Sequence, residues 1–237
     1  MIDIAYLMNL CGQYELPLTQ EQAEKLDVYA GLLVEWKQKM NLTAITEPKA
    51  IVEKHFLDSL LLLKAAELPE NTSLIDVGTG AGFPSVPVGI LRGDLNLTLL
   101  DSLNKRLTFL EAVCSQVGVK ARRVHARAEE AARKPEFREQ YEVATARAVA
   151  NLPVLCEYCL PYVKVGGRFI ALKGAEAEQE TQAAQKAISL LGARLQEVKA
   201  FTLPDGGRRG IVVIEKISQT PTKYPRPSGK IAKSPLV

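Results

Sequence analysis

The stretch Leu74-Ile75-Asp76-Val77-Gly78-Thr79-Gly80-Ala81-Gly82-Phe83-Pro84 sets three glycines at alternate positions directly behind an apolar run. Glycine takes positive φ freely and carries no Cβ, so a ligand can approach the backbone of such a turn. A strand that ends in a glycine turn and opens a helix is half of a βαβ unit, which commits the chain to a sheet with helical crossovers. The sequence after Pro69 keeps to that pattern: 73–77, 95–100, 121–125, 143–147 and 168–172 read as strands. Helical stretches near 84–92, 104–117, 127–133, 152–163 and 176–191 lie between or after them. The segments 195–201 and 210–216, flanking Pro204-Asp-Gly-Gly-Arg-Arg209, read as a hairpin closing the sheet with an antiparallel edge. The expected class is α/β, a Rossmann-like fold on a mixed seven-stranded sheet with an antiparallel edge strand.

Two further regions flank this core. Residues 1–70 read as a helical extension packed on the core, with Thr19-Gln-Glu-Gln22 as a capping box and Leu26, Tyr29, Ala30, Leu33, Val34 and Trp36 at helical spacing. Asn41-Leu-Thr marks a break before Glu47-Pro48 opens another helix. Residues 71–217 form the core, and 218–237 read as an irregular, basic, Pro-rich tail. No stretch has the composition of an export signal, and no apolar run approaches the roughly 20 residues that span a bilayer. With four cysteines, this points to free thiols in a reducing cytoplasm. The net charge of +3 decides nothing by itself, but Lys120 to Arg138 and the last twenty residues concentrate the basic side chains, as a polyanionic partner requires.

The helix behind the glycines presents unpaired N–H groups to anionic or electron-rich atoms. A phosphate-binding P-loop needs Lys-Ser/Thr after its glycines, where this chain has Phe83-Pro84. A dinucleotide fingerprint needs its third glycine at position 83, which is Phe. What remains is Asp76-x-Gly78-x-Gly80-x-Gly82, and the next strand ends at Asp101, whose carboxylate can accept both hydroxyl hydrogens of a ribose. Glycines and strand-end acid together fit an adenosyl ligand without pyrophosphate, such as S-adenosylmethionine. Ala128 and Glu129, after the third strand, are placed for the adenine edge; the competing view of Glu129 is a solvated acid at a helix start. Arg147 closes the fourth strand where open α/β sheets bind ligands, and its competing role is a structural ion pair.

The segment after that strand, Arg147-Ala-Val-Ala-Asn151-Leu-Pro, lacks the Asp/Asn-Pro-Pro-Tyr/Phe of many exocyclic-amine methyltransferases. Carbon-five methylation of a pyrimidine needs a cysteine there, whereas Cys156 and Cys159 fall further on in a helix and read as packing residues, with zinc or redox roles as minor options. A ring nitrogen such as guanine N7 needs no proton removed before attack, so in-line positioning and electrostatic support suffice.

Taken in order, Asn41-Leu-Thr, Lys54-His-Phe-Leu-Asp58-Ser, Asp76-Val-Gly-Thr-Gly-Ala-Gly-Phe-Pro84, Asp101-Ser-x-x-Lys105-Arg, Arg147-Ala and Lys223-Tyr-Pro-Arg226 resemble the ribosomal RNA small subunit methyltransferase G family, also called glucose-inhibited division protein B. The resemblance extends over residues 3 to 236. It implies methyl transfer from S-adenosylmethionine to guanine N7 of bacterial 16S rRNA, in a loop near the decoding site, with the 16S rRNA or the small subunit as partner. By position it implies cofactor contacts from Asp76, Gly78, Gly80, Gly82, Phe83, Asp101, Ala128, Glu129 and Arg147. Arg147, His55 and Asn41 take positioning roles in catalysis, with Asp58 on the same helical extension and no metal. The bland alternative for His55 is a helix-face histidine partnered by Asp58. Two departures from the family pattern are Ser85, where Gly is usual, and Tyr224-Pro-Arg-Pro-Ser-Gly229, where Tyr-Pro-Arg-Lys-Pro-Gly is usual.

Lys223, Tyr224, Arg226 and Lys230 in the tail, with Arg208 in the hairpin loop, are the expected RNA contacts, by charge and by stacking. The alternative for the tail is a disordered solubilising segment. Two other functions compete: an NAD-dependent oxidoreductase, and a noncatalytic RNA-binding protein with a vestigial cofactor pocket.

Overall fold

Alternation along the strands sorts the apolar side chains to two faces, and each face of the sheet carries its own core. The strands are β1 Ser73–Val77, β2 Asn96–Asp101, β3 Ala121–His125, β4 Tyr141–Arg147, β5 Val163–Lys173, β6 Ala193–Thr202 and β7 Arg208–Lys216, in the order β3-β2-β1-β4-β5-β7-β6. This arrangement comes from a computed structural model that describes residues 1–38, 40 and 42–237. β1 to β5 are mutually parallel, while β7 runs antiparallel to both β5 and β6. The expected seven-stranded mixed sheet is present, with its antiparallel hairpin at one end and β7 inserted between β5 and β6.

Leu74, Leu97, Leu99, Val143 and Ile170 point to one face, where they meet the helices Ser85–Leu91 and Asn104–Val117 and the apolar sides of the N-terminal helices. Ile75, Val77, Ala144, Ala146 and Phe169 point to the other face, toward Leu152–Cys159 and Ala177–Leu190. The helix Gln20–Lys37 begins with the capping box expected at Thr19 and Gln22, and its Tyr29 is fully buried. Glu47 caps the segment that Pro48 opens, accepting from the Lys49 and Ala50 amides. A π-helical turn, Val52–Leu57, follows at once. Such turns change the angular phase of a helix and recur at functional sites; here the turn contains His55 and precedes Asp58.

The chain after β7 has little regular structure, and it is docked on the core. Arg138 donates to the carbonyls of Thr220 and Tyr224, Arg133 donates to that of Pro225, and a short helix, Ser228–Lys233, buries Ile231. Lys216, wholly buried, is satisfied by Glu139, two backbone carbonyls and Thr220 Oγ1, which fixes the root of this segment. Successive crossovers run outward from β1 to β3 and then return to β4 on the other side of β1. The carboxyl ends of β1 and β4 thus form a topological switch point, the place where open α/β sheets leave a crevice.

Candidate active site

That crevice is a cavity of about 600 Å³. Its floor is the glycine turn, where Gly78 and Gly80 have φ of +74° and +60°. A Cβ on Gly78 would come within 2.8 Å of Val149 Cγ2, so the loop after β4 closes directly over the bare backbone. Asp101, buried at the end of β2, accepts from the Gly80 amide at 2.9 Å through one oxygen and from the Leu103 amide at 2.9 Å through the other. Arg106 approaches the first of these oxygens at 3.3 Å. A carboxylate oxygen can accept two hydrogen bonds, and Oδ1 accepts only the one from Leu103, so the group keeps capacity for a ligand hydroxyl. Ala128 and the buried Glu129 line the far side with Tyr158 and Ser228.

Two expected cofactor residues stand behind this wall instead of in it. Asp76 is fully buried at the end of β1 and accepts from Thr79 Oγ1 at 2.9 Å; strand alternation turns it away from the cavity. Burial pushes its carboxyl up to about 7, against the pull of the Thr79 and Ser85 hydroxyls. Among the described residues, Asp76 Oδ1 and Ser85 Oγ have no aligned hydrogen-bond partner. Gly82 serves packing: at φ +97°, a Cβ there would meet Leu110, the Tyr29 hydroxyl and Val86 at 2.7 to 2.8 Å. The Tyr29 hydroxyl donates to the Ala81 carbonyl, pinning the turn to the helical extension.

The opposite wall is built from side chains. The Phe83 ring stacks on Tyr29 at 5.3 Å and on His55 at 4.5 Å, and the Arg147 guanidinium lies 4.8 Å from its centroid. Arg147 pairs with Asp58 Oδ2 at 2.8 Å and reaches His55 Nδ1 at 3.3 Å. Asp58 Oδ1 accepts from Arg209 Nε at 2.9 Å, so one carboxylate joins the helical extension, β4 and β7. Arginine only donates, which makes His55 Nδ1 the acceptor and assigns the ring proton to Nε2, 2.8 Å from Thr43 Oγ1. Burial, and then the Arg147 charge, push the His55 imidazolium down to about 3, so the ring is neutral. Its partners are therefore Thr43 and Arg147, not Asp58. Arg147 is both an ion-pair member and a lining residue.

A second cavity of about 330 Å³ lies on the other side of His55, Arg147 and Ala148, which line both. Its remaining walls include Lys54, Asp58, Lys173, Glu180 and Arg209. Ala148 sits at φ +55°, a conformation that costs a non-glycine residue about 1 kcal/mol and is held here between the two spaces.

Among the expected RNA contacts, Lys223, Lys230 and Arg208 are exposed. Tyr224 is buried, and Arg226 is committed to the fully buried Glu157 through bonds of 2.7 and 2.9 Å, so the structure removes both from the free basic surface. Asn41 lies outside the described residues. Cys156 and Cys159 are buried packing residues whose thiols burial pushes far up. The reading of sequence left Thr43, Arg106, Lys173, Glu180 and Ser228 without roles. Arg106 had a signal in Asp101-Ser-x-x-Lys105-Arg, whereas Lys173 and Glu180 had none beyond a position just after the fifth strand.

A seven-stranded sheet with an inserted antiparallel β7 and a ligand cavity at the β1/β4 switch point defines the class I S-adenosylmethionine-dependent methyltransferase fold. A putative methyltransferase of that class from Listeria monocytogenes superposes with a TM-score of 0.59 at 14% identity, over 84% of this chain and 69% of that one. A putative methyltransferase from Bacillus halodurans gives 0.53 at 15% identity, over 68% and 100%. Within the class, the family model described as rRNA small subunit methyltransferase G matches residues 22–211, and the chain belongs to that family. Proteins named ribosomal RNA small subunit methyltransferase G from Acetivibrio thermocellus and Alkaliphilus metalliredigens are 50% and 49% identical to it. Both matches span 97% of this chain, and 95% and 97% of the respective relatives. The oxidoreductase alternative finds no support in these relationships.

Proposed function

We propose that this methyltransferase moves the methyl group of S-adenosylmethionine to N7 of a guanine in bacterial 16S rRNA, in a loop near the decoding site, by direct in-line displacement. The observation that carries the choice of acceptor is the state of the titratable groups at the wall shared by the two cavities. His55 is neutral with both ring nitrogens engaged, Asp58 is held by two guanidinium groups, and the cysteines are buried elsewhere. That wall itself offers no ready base or thiol; the nearest carboxylate with a free oxygen, Glu180, lines only the second cavity and is paired with Lys173. The wall suits a nucleophile whose lone pair is already free, because guanine N7 carries no proton to lose.

The residues fit the cofactor on their own geometry. Two positive-φ glycines bare the backbone, the strand-end Asp101 retains acceptor capacity, and the turn has no Lys or Ser/Thr pair for a pyrophosphate. Asp101 would hold the ribose hydroxyls, Gly78 and Gly80 the methionine side, and Ala128 and Glu129 the adenine. When bound, S-adenosylmethionine supplies an electrophilic methyl group. The task of the chain is then to orient the acceptor: Phe83, His55 and Arg147 form a stacked, ion-paired partition that fixes where a base can stand. Lys223, Lys230 and Arg208 add phosphate contacts at the surface. Incubation with unmodified small subunits and labelled cofactor, followed by nucleotide mapping, tests this; a methyl on an exocyclic amine would refute it.

A further inference from the structure

The second cavity adjoins the proposed cofactor space across one partition and has its own polar equipment. Lys173, at the end of β5, is almost wholly buried yet lines this cavity. Its Nζ donates to the Ala150 carbonyl at 2.9 Å and pairs with Glu180 Oε2 at 2.7 Å, leaving one of its three hydrogens unused. Both contacts to Glu180, from Lys173 and from the Leu152 amide at 2.7 Å, end on Oε2. Among the described residues Oε1 is therefore an unused acceptor beside an unused donor. A mostly buried ammonium beside a partly exposed carboxylate, each with spare hydrogen-bonding capacity on the cavity, can take a complementary donor–acceptor pair from a ligand.

Resting on the guanine-N7 reading above, we propose that the second cavity receives the flipped acceptor base, and that Lys173 and Glu180 are its specificity-determining residues. With N7 at the rim where the two cavities meet beside His55, Arg147 and Ala148, the six-membered ring points into the second cavity. Guanine then offers O6 to the spare Lys173 hydrogen and N1–H, with the 2-amino group, to Glu180 Oε1. Adenine, in the same pose, reverses the donor and acceptor at positions 6 and 1 and opposes both groups. The volume of about 330 Å³ is large enough for a single extruded base.

The test replaces the mapped guanine by 2,6-diaminopurine in small subunits reconstituted with a ligated synthetic RNA segment. Binding is measured without cofactor, and methyl transfer with it. The wild-type chain should prefer guanine in both measurements. Glu180→Gln and Lys173→Gln should each shrink that preference about ten-fold or more, because each changes one half of the donor–acceptor pair. Thermal unfolding and cofactor affinity identify a variant that has merely misfolded, and the other variant then decides. A preference unchanged in a folded variant would overturn the assignment. If the wild-type chain left guanine N7 unmethylated, the proposed reaction would fall by itself, while the cofactor-free binding preference would still judge the cavity.

Discussion

The two walls of the cofactor cavity are made by opposite means. One is backbone: a single turn, Gly78 to Gly82, with Asp101 fastened to the Gly80 amide. The other is a partition of side chains drawn from Thr43, His55, Asp58, Phe83, Arg147 and Arg209, tied together by ion pairs and stacking. The first wall depends on what is missing from a short stretch of chain. The second depends on partners up to 151 residues apart. A wall of the first kind should fail by crowding, and one of the second kind by loss of charge balance.

The largest effect should come from Asp58→Ala. It strands Arg147 and Arg209 at once, and calorimetric or denaturant unfolding should show a loss of about 3–5 kcal/mol; a loss below 1 kcal/mol would mean the guanidinium groups find water. Next is a contrast within the turn. Gly82→Ala, with three atoms in its path and positive φ, should cost about 3 kcal/mol, whereas Gly80→Ala, with only the Gly78 carbonyl at 3.9 Å, should cost about 1 kcal/mol of folding stability. Equal losses would show that strain, not packing, governs the turn. Asp101→Ala should weaken cofactor affinity by about 1–3 kcal/mol in titration calorimetry, and unchanged affinity in the folded variant would remove Asp101 from the site. The smallest effects belong to the surface. Lys223→Ala and Lys230→Ala should each leave stability within about 0.5 kcal/mol and lower the salt dependence of RNA binding by about one ion. An unaltered slope would place the RNA elsewhere.

The same contrast explains what was legible in the sequence. The glycine turn, Asp101 and the alternation of strands are local patterns, and they placed the sheet and its cavity correctly. Asp76 and Gly82 lie behind the cavity lining, which a motif could not show, because it lists neighbours in sequence without saying which face of the strand or turn each one takes. The beginning of β5 was missed because Gly166 and Gly167 interrupt its apolar run; the strand extends from Val163 to Lys173. The tail's contacts were hidden for another reason. Its composition is that of a solvated segment, but Arg226 had a fully buried carboxylate waiting 69 residues upstream, and Tyr224 had a core to enter. The pairings of Asp58 with Arg209 and of Lys173 with Glu180 depend on how β5, β7 and the helical extension converge, which periodicity does not encode.

The strand order also dictates a sequence of events during synthesis. β5 pairs with β7 and not with β6, so β6 emerges from the ribosome with no neighbour available in the sheet. It must wait for the nine residues Arg208–Lys216, and Ser228, which lines the cavity, appears later still. A nascent chain stalled before these residues leave the exit tunnel would display an unfinished sheet edge and an open crevice. The cavity wall is therefore finished by one of the last parts of the chain to be made.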